Sequence, residues 1–370
     1  MREIDEERYM TPAQFFKNVR NIFKDTLIDF KNSINDDEHV IKIGFITDTH
    51  YVIRDRGYFG GKSKTPGMAY RNRSHLYNIG FLSDKLDFIV HGGDVVDGNE
   101  KTSDVYNQLV RDVGTLFSTI SCPHSMVIGN HDNNSNISTK NAGNYRKQGY
   151  EFTVLPSLLN QYFISDPRIH KTSNRNYWFY DIKGIRIIGL DLFFQFLHLD
   201  NQGYLKYPAF TTSVIDQVQI NWLIEVLTTS MPIIIFSHCP IAGIVYQNTV
   251  ETTINHHLIV DILKAKQRGL KGTIMSSHID FPVNVTYDFS KTKGNLISLV
   301  NGHVHSESVK QWEGINIFSG LNSLGVDKNH NVYWDTEYED AFYVLEIDSE
   351  SRKVNIRGYG RGSNSYFYYR

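Results

Sequence analysis

The stretch Val40–His50, which reads VIKIGFITDTH, is an apolar run of strand length that ends in a cluster of polar side chains. The same unit recurs along the chain. Apolar runs precede polar clusters at Leu86–Val90 before His91-Gly92-Gly93-Asp94, Ser125–Ile128 before Gly129-Asn130-His131-Asp132, Ile233–Phe236 before Ser237-His238, and Leu296–Val300 before Asn301-Gly302-His303. Each run predicts a buried strand, and each polar cluster predicts a loop at the carboxyl end of its strand.

Between these runs, apolar residues take helical spacing near residues 68–85, 102–119, 213–229 and 252–268. Strands that alternate with helices predict a layered α/β fold. The C-terminal part is richer in strand patterns and is expected to complete a second sheet. Because binding sites in open α/β sheets form at the carboxyl ends of strands, the polar clusters are expected to meet at one site.

The N-terminal region carries its own pattern. Residues 12–31 place apolar side chains at three- and four-residue steps, which predicts an amphipathic helix ahead of the main domain. We therefore divide the chain into an N-terminal helical extension (1–39) and one domain (40–370). Two interpretations of the helix stay open. Either its apolar face packs on the domain, or it docks on a partner or on another copy of the chain, as in a homo-oligomer.

The composition limits the kinds of site that the chain can build. Its 370 residues include 15 histidines but only 2 cysteines, and the formal net charge is −2. The cysteine count excludes a disulfide framework and a thiolate zinc site, so a metal here has to be held by histidine and carboxylate. The near-neutral charge gives no electrostatic footprint for long nucleic acid, which we therefore do not expect as a ligand.

Targeting and membrane signals are not visible in the sequence. The segment Met1–Glu7 is acidic and is not followed by the apolar core of a signal peptide. Apolar stretches stay well short of the ~20 residues that a membrane span needs. We expect a protein without a membrane span that is made in the cytoplasm.

The polar clusters together resemble a known family. The ordered set Asp48-x-His50, Gly93-Asp94-x-x-Asp97, Gly129-Asn130-His131-Asp132, His238 and Gly302-His303-Val304-His305 is similar to the motifs of the calcineurin-like metallophosphoesterase superfamily. The resemblance spans roughly residues 40–310 and keeps the family's motif order. It implies an α/β fold, a four-layer αββα sandwich of two mixed β-sheets flanked by helices, built around a two-metal centre.

The resemblance also implies which side chains hold the two divalent ions. Three bind one ion, three bind the other, and one carboxylate bridges them. In that order they are Asp48, His50 and His305; Asn130, His238 and His303; and Asp94. Imidazole and carboxylate suit Mn, Fe, Zn or Ni, and the sequence does not choose among these metals.

A hydrolytic mechanism follows from the same resemblance. A metal-bound hydroxide would attack the phosphoester, because two cations lower the pKa of a shared water. His131, beside Asn130, would protonate the leaving group. Asp97, three residues after Asp94, matches the carboxylate that orients this histidine and raises its pKa. His91 precedes the Gly-Gly-Asp motif and is expected to pack near the site, where it either fills space or orients a ligand.

The subclass indicated is a phosphodiesterase. The Gly129–Asp132 and Gly302–His305 motifs look like those of bacterial and phage phosphodiesterases, and this favours a cell-surface glycerol-phosphate polymer such as teichoic acid as substrate. An enzyme that acts there would be virion-associated, with helix 12–31 as the element that docks on the phage particle. The alternatives are a cytosolic nucleotide phosphodiesterase or nuclease, a phosphomonoesterase, and a structural or adaptor protein that retains the fold.

The loop after the first motif is long, glycine-rich and basic. Residues 51–73 include Arg71 and Arg73, shortly after the first expected metal ligands. One interpretation is an ordinary solvated loop. The other is a substrate lid whose arginine side chains grip phosphate oxygens, since a guanidinium matches phosphate with two parallel hydrogen bonds.

Overall fold

A computed structural model of the chain describes residues 19–52, 72–98, 103–134, 165–172, 175–242, 244, 252–327 and 331–370. The helices within these residues are α1 (Asn21–Ser33), α2 (Arg73–Gly80), α3 (Ser103–Phe117), α4 (Gln217–Leu227) and α5 (His256–Arg268). The strands are β1 (Ile41–Ile46), β2 (Phe88–His91), β3 (His124–Met126), β4 (His170–Lys171), β5 (Trp178–Ile182), β6 (Ile185–Gly189), β7 (Thr212–Val214), β8 (Ile233–Ser237), β9 (Thr252–Ile254), β10 (Lys271–Ser276), β11 (Val283–Asp288), β12 (Leu296–Asn301), β13 (Ser308–Trp312), β14 (Ile315–Ser319), β15 (Ala341–Asp348), β16 (Lys353–Gly360) and β17 (Ser365–Tyr368).

Most of the strands form two mixed sheets. The six-stranded sheet has the order β17-β16-β15-β1-β2-β3, and β1, β2 and β3 run parallel in it. The seven-stranded sheet has the order β13-β14-β12-β8-β6-β5-β4, with β6, β8, β12 and β14 parallel. Antiparallel pairing occurs at one edge of the six-stranded sheet, where β15, β16 and β17 follow β1, and at both edges of the seven-stranded sheet. Two small sheets, β7 with β9 and β10 with β11, complete the described architecture.

The two large sheets pack face to face over an aromatic and aliphatic core. Phe45 of β1 lies 5.7 Å from Phe236 of β8 between ring centroids, and Phe88 of β2 stacks on Tyr180 of β5 at 4.9 Å. Alternate residues of β1 face this core, because successive side chains of a strand point to opposite faces. The opposite faces are covered by helices, α2 and α3 among them. This confirms the predicted four-layer αββα sandwich.

The N-terminal helix differs in extent from the prediction of 12–31. Residues 12–18 lie outside the described residues, Arg20 has an extended backbone, and α1 runs from Asn21 to Ser33. Arg20 donates to Glu339 at 2.6 Å and to Asp335 at 2.5 Å, contacts that hold this residue against the C-terminal part of the chain. Phe23 and Leu27 of α1 are completely buried in the domain's own core.

Two further helices start later than expected, for identifiable reasons. Residues 213–214 and 252–254 lie in the paired strands β7 and β9 rather than in helices. The carboxylate of Asp216 then caps α4 by accepting a hydrogen bond from the backbone N–H of Gln219 at 3.0 Å. No helix within the described residues is long and apolar enough to cross a bilayer.

We predict that Leu27→Ala lowers the free energy of unfolding by about 2–5 kcal/mol, because it empties a filled core position. The matched control is Ile28→Ala, whose side chain is 46% exposed on the same helix and should cost about 0.5 kcal/mol or less. Urea denaturation measures both values. An equal cost for the two variants would mean that the outer face of α1 is also covered in solution, as in a complex.

Candidate metal centre

The side chains expected to bind metal all follow parallel strands. Asp48 and His50 follow β1, Asp94 follows β2, and Asn130 follows β3, all in the six-stranded sheet. His238 follows β8 and the pair His303 and His305 follows β12, in the seven-stranded sheet. The two sheets pack face to face with the carboxyl ends of these parallel strands at a common edge. The structure brings all seven side chains together there.

The backbone at this edge is unusual. Five of the expected ligands adopt left-handed backbone conformations with φ between 43° and 66°: Asp48, His50, Asp94, His303 and His305. Non-glycine residues seldom occupy this region, and each such residue costs on the order of 1–3 kcal/mol unless the surroundings hold it. The tight turns turn the chain back at the strand end, which lets both histidine-containing pairs face the same centre.

Two groups of donor atoms form within the centre. In the first, Nε2 of His305 lies 3.2 Å from Oδ1 of Asp48 and 3.4 Å from Nε2 of His50. In the second, Nε2 of His238 lies 3.2 Å from Nδ1 of His303. Within each of the sets Asp48–His50–His305 and Asp94–His238–His303, one donor atom per residue lies within 4.8 Å of the others.

Asp94 connects the two groups, and Asn130 lies beside the second. Oδ2 of Asp94 lies 3.2 Å from Nε2 of His238 and 3.5 Å from Nε2 of His50, one histidine from each group. Oδ1 of Asn130 lies 3.2 Å from Nε2 of His238. Asp94 therefore sits where a carboxylate shared between two cations would sit.

The donor set fits a pair of cations. Imidazole nitrogens face each other in the pairs His50–His305 and His238–His303, and two lone pairs at such distances need a cation or a proton between them. Burial alone would lower the pKa of His238, but Asp94 and Asp48 outweigh it and raise this pKa to about 9. The same negative field of two buried carboxylates attracts metal ions.

Hydrogen bonds from neighbouring groups orient the donors. Nδ1 of His238 donates to the carbonyl oxygen of Gly92 at 2.8 Å, which directs Nε2 towards the centre. Oδ2 of Asp48 accepts from the hydroxyl of Thr47 at 2.7 Å and from the backbone N–H of His303 at 2.9 Å. The Asp48 carboxylate thus connects the loop after β12 to the loop after β1.

His91 contacts the backbone and side chains of the loops that carry the expected ligands. Its Nε2 lies 3.2 Å from the hydroxyl of Thr49, and its Nδ1 accepts from the backbone N–H of Gly93 at 3.2 Å. Burial lowers the pKa of His91 to about 3, so the ring is neutral and can accept at Nδ1. This placement favours the expectation that His91 orients the loop between Thr49 and Asp94 rather than merely filling space.

His131 lies at the open side of the centre. Its side chain is 13% exposed, and its Nε2 is 4.0 Å from Oδ2 of Asp94. Its Nδ1 donates to the main-chain oxygen of Asp97 at 2.6 Å, whereas the Asp97 carboxylate is 3.7 Å from that nitrogen and 3.6 Å from Nδ1 of His50. The expected orienting contact is therefore made by the backbone of Asp97, and its carboxylate lies between two rings.

Asp132 is a buried residue of the centre for which the motifs predicted no role. Its buried carboxylate accepts backbone N–H groups from the two neighbouring loops, at 2.8–3.2 Å: Gly129, Asp94, Val95 and Val96. Burial, with the charge of Asp94, raises the pKa of Asp132 to about 7. One side chain thus joins the loop of Asp94 to the loop of Asn130. Its place in the Gly-Asn-His-Asp motif was the signal that could have indicated this.

Glycine allows neighbouring loops of the centre to approach each other. A Cβ atom at Gly129 would collide with the carboxylate and backbone of Asp94. A Cβ atom at Gly302 would likewise collide with Thr47 and Asp48. The glycines of these motifs are required by close packing around the carboxylates.

Two phenylalanines, which the sequence analysis also missed, form walls of the centre. The ring of Phe193 is 5.7 Å from that of His238 and 6.1 Å from that of His303. The ring of Phe210 is 4.9 Å from that of His131. Both residues lie in the long connection after β6, where no strand or helix pattern marks them.

Of the two arginines expected to bind substrate, the structure describes only Arg73. Arg71 lies outside the described residues. Arg73 is buried at the start of α2, where its Nε and Nη2 each donate to the carboxylate of Asp112 at 3.0 Å. Phosphate binding by either arginine stays a prediction, and for Arg73 it would compete with this ion pair.

These features define a dinuclear-type metal centre at the edge of an αββα sandwich. A family model for calcineurin-like phosphoesterases matches residues 41–307, most of the chain. The chain belongs to that family, as its motifs predicted. It is therefore a metallophosphoesterase, a hydrolase of phosphoric esters in a family that depends on two metal ions. A search of curated proteins found no match.

A solved structure shares this fold. A dimetal phosphatase from Danio rerio is 16% identical, with a TM-score of 0.58 over 90% of this chain and 99% of that one. Two other structures match more weakly. A putative 5′-nucleotidase from Staphylococcus aureus is 14% identical, with a TM-score of 0.40 over 89% of this chain and 54% of that one. A 5′-nucleotidase precursor from Thermus thermophilus is 13% identical, with a TM-score of 0.38 over 88% of this chain and 55% of that one.

We predict that Asp132→Asn weakens divalent-ion binding about 10- to 100-fold, because an amide cannot accept all four backbone N–H groups and the Asp94 loop loosens. Calorimetric titration with Mn²⁺ measures the affinity. The matched control is Asp191→Asn, which changes another buried carboxylate at the same edge that accepts from the backbone N–H of Asn176. Equal losses of affinity in both variants would contradict the positioning role of Asp132.

Proposed function

We propose that this protein hydrolyses phosphodiesters with two divalent ions held at the shared edge of its sheets. The observation that carries the proposal is the placement of Asp94 between two histidine-containing groups, each with the donor types of a metal site. A two-ion site needs one shared carboxylate and separate ligands on either side of it. The centre supplies that arrangement.

The residues would divide between the ions as the family motifs imply. Three side chains would hold each ion and Asp94 would be shared: Asp48, His50 and His305 on one side, Asn130, His238 and His303 on the other. When bound, the ions supply Lewis-acid charge that lowers the pKa of a water and offsets the charge of the transition state. Mn, Fe, Zn and Ni all suit this donor set.

His131 would deliver the proton that the leaving oxygen needs. Its Nδ1–H is engaged by the main-chain oxygen of Asp97, so Nε2 is the nitrogen that exchanges a proton with substrate. Burial opposes protonation of His131, but Asp94 and Asp97 raise its pKa above the usual histidine value. A raised pKa keeps the acid form populated near neutral pH. Phe210 covers one side of the ring and limits its movement.

The preference for diesters rests on the Gly129–Asp132 and Gly302–His305 motifs, which look like those of bacterial and phage phosphodiesterases. A glycerol-phosphate polymer such as teichoic acid, reached by a virion-associated enzyme, is the specific substrate that this likeness favours. A nucleotide diester and a phosphomonoester are the competing substrates.

Activity assays separate these classes. We expect bis-p-nitrophenyl phosphate to be hydrolysed with added Mn²⁺, with loss of activity on chelation and recovery on readdition of metal. The panel also contains p-nitrophenyl phosphate, a cyclic nucleotide, DNA and purified wall teichoic acid. Faster hydrolysis of the monoester than of every diester would contradict the diester preference, and inactivity with every metal would favour a non-catalytic protein.

We predict that His131→Ala lowers kcat about a hundred- to ten-thousand-fold on a diester with a poor leaving group, because the proton donor is lost. Its metal content, measured by elemental analysis, should equal that of the wild type. The comparison variant is Asp94→Asn, which should lose both activity and metal. Loss of metal in His131→Ala would make His131 a ligand instead, as its place beside His50 and Asp94 also permits.

A further inference from the structure

A groove of about 930 Å³ lies outside the metal centre, between the connection that follows β6 and the tip of the β10–β11 hairpin. Both apolar and polar side chains line it. They include Phe196, His198, Met275, Ser277, Phe281 and Asn284. The volume is in the range of sites that enclose a small organic molecule.

The groove opens at the same edge of the fold as the metal centre. The connection after β6 starts at the carboxyl end of that strand, and α4 begins where the connection ends. Helix α5 leads away from this edge and β10 returns to it, so the hairpin tip lies beside the start of α4. The side chain of Gln217, the first residue of α4, accepts from the backbone N–H of Asn284 at 2.6 Å, which confirms this placement.

Two short segments join the groove to the metal centre, one containing Gln195 and the other containing Tyr207 and Ala209. Gln195 clamps them together, since its amide donates to the main-chain oxygen of Tyr207 at 3.1 Å and accepts from the N–H of Ala209 at 2.8 Å. At one end, Phe193 packs on metal-binding histidines. At the other, Phe196 packs on Phe281 with ring centroids 4.7 Å apart. Three residues span at most about 11 Å, so the Cα atoms of Phe193 and Phe196 lie within that distance of each other.

The chemistry of the groove indicates what it binds. Its two carboxylates are already neutralised: Asp280 accepts from Lys206 and from the hydroxyl of Tyr207, and Asp216 pairs with Arg175 at 2.8 Å. The remaining surface offers aromatic rings, the thioether of Met275 and the hydroxyl and amide groups of Ser277 and Asn284. This combination suits an uncharged, flat ring with hydrogen-bonding edges rather than an ion or an aliphatic chain.

We propose that the groove is a subsite for the organic part of the substrate, and that this part carries a heterocyclic ring of the nucleobase type. The inference rests on the proposed function, since the phosphodiester would be held at the metal centre while the ring occupies the groove. It favours a nucleotide-like diester over an aliphatic polymer. Met275 is 68% exposed at the groove, so it is free to cover a bound ring.

The test compares two diesters with the same leaving group: the p-nitrophenyl ester of thymidine 5′-monophosphate and methyl p-nitrophenyl phosphate. The wild type should favour the thymidine ester in kcat/KM. In Met275→Asp this preference should fall at least tenfold, because a carboxylate replaces the apolar cover. The control is Ile279→Asp on the same hairpin, whose 85% exposed side chain does not line the groove and whose variant should keep the preference.

Equal hydrolysis of both esters by the wild type, or an unchanged preference in Met275→Asp, would overturn the subsite. Calorimetric binding of thymidine 5′-monophosphate to the wild type and the same variants separates this result from failure of the proposed function. If neither ester is hydrolysed, the proposed function fails, and binding that Met275→Asp weakens would still support the groove. Absence of binding to the wild type would overturn it.

Discussion

The structure depends on holding buried carboxylates and imidazoles together against their cost of desolvation. Asp48, Asp94 and His238 are all completely or nearly completely buried, and Nε2 of His238 lies within 4 Å of a carboxylate oxygen of each aspartate. Burying charged groups is unfavourable unless they are paired, hydrogen-bonded or bound to metal. Packing of the two sheets through contacts such as Phe45 on Phe236 supplies the stability that keeps them in place.

Hydrogen bonds stabilise the strained backbone turns within the centre. The left-handed turns at Asp48 and Asp94 are unfavourable by themselves, and each is secured by a hydrogen bond to a different loop. The backbone N–H of His303 donates to the Asp48 carboxylate, and the backbone N–H of Asp94 donates to the Asp132 carboxylate. Asp132 secures one of these turns and Thr47 supports the other carboxylate. Such support from outside the ligand set fixes distances that a metal centre requires.

The strand ends and the segments that connect them have different roles in the proposed substrate binding. The strand ends supply groups for phosphoester chemistry, which any substrate of the family needs. The connection after β6 and the β10–β11 hairpin form surfaces beside those strand ends, with Phe210 against the ring of His131 and Phe281 in the groove. Under the proposed groove, selectivity for the organic part of a substrate would reside in these connecting segments and not in the sheets.

The sequence alone predicted the layered fold, which the structure confirms, and seven side chains that the structure brings together at one edge, because strand ends and motif order are local features that survive without tertiary context. It predicted helix across residue 20, where the described backbone is extended, since Arg20 is held by contacts to Glu339 and Asp335 more than three hundred residues away. Only the tertiary structure decided that Asp132 joins two loops, that the backbone of Asp97 orients His131, and that Phe196 meets Phe281. These contacts join distant segments, and no local pattern encodes a distance between segments that folding brings together.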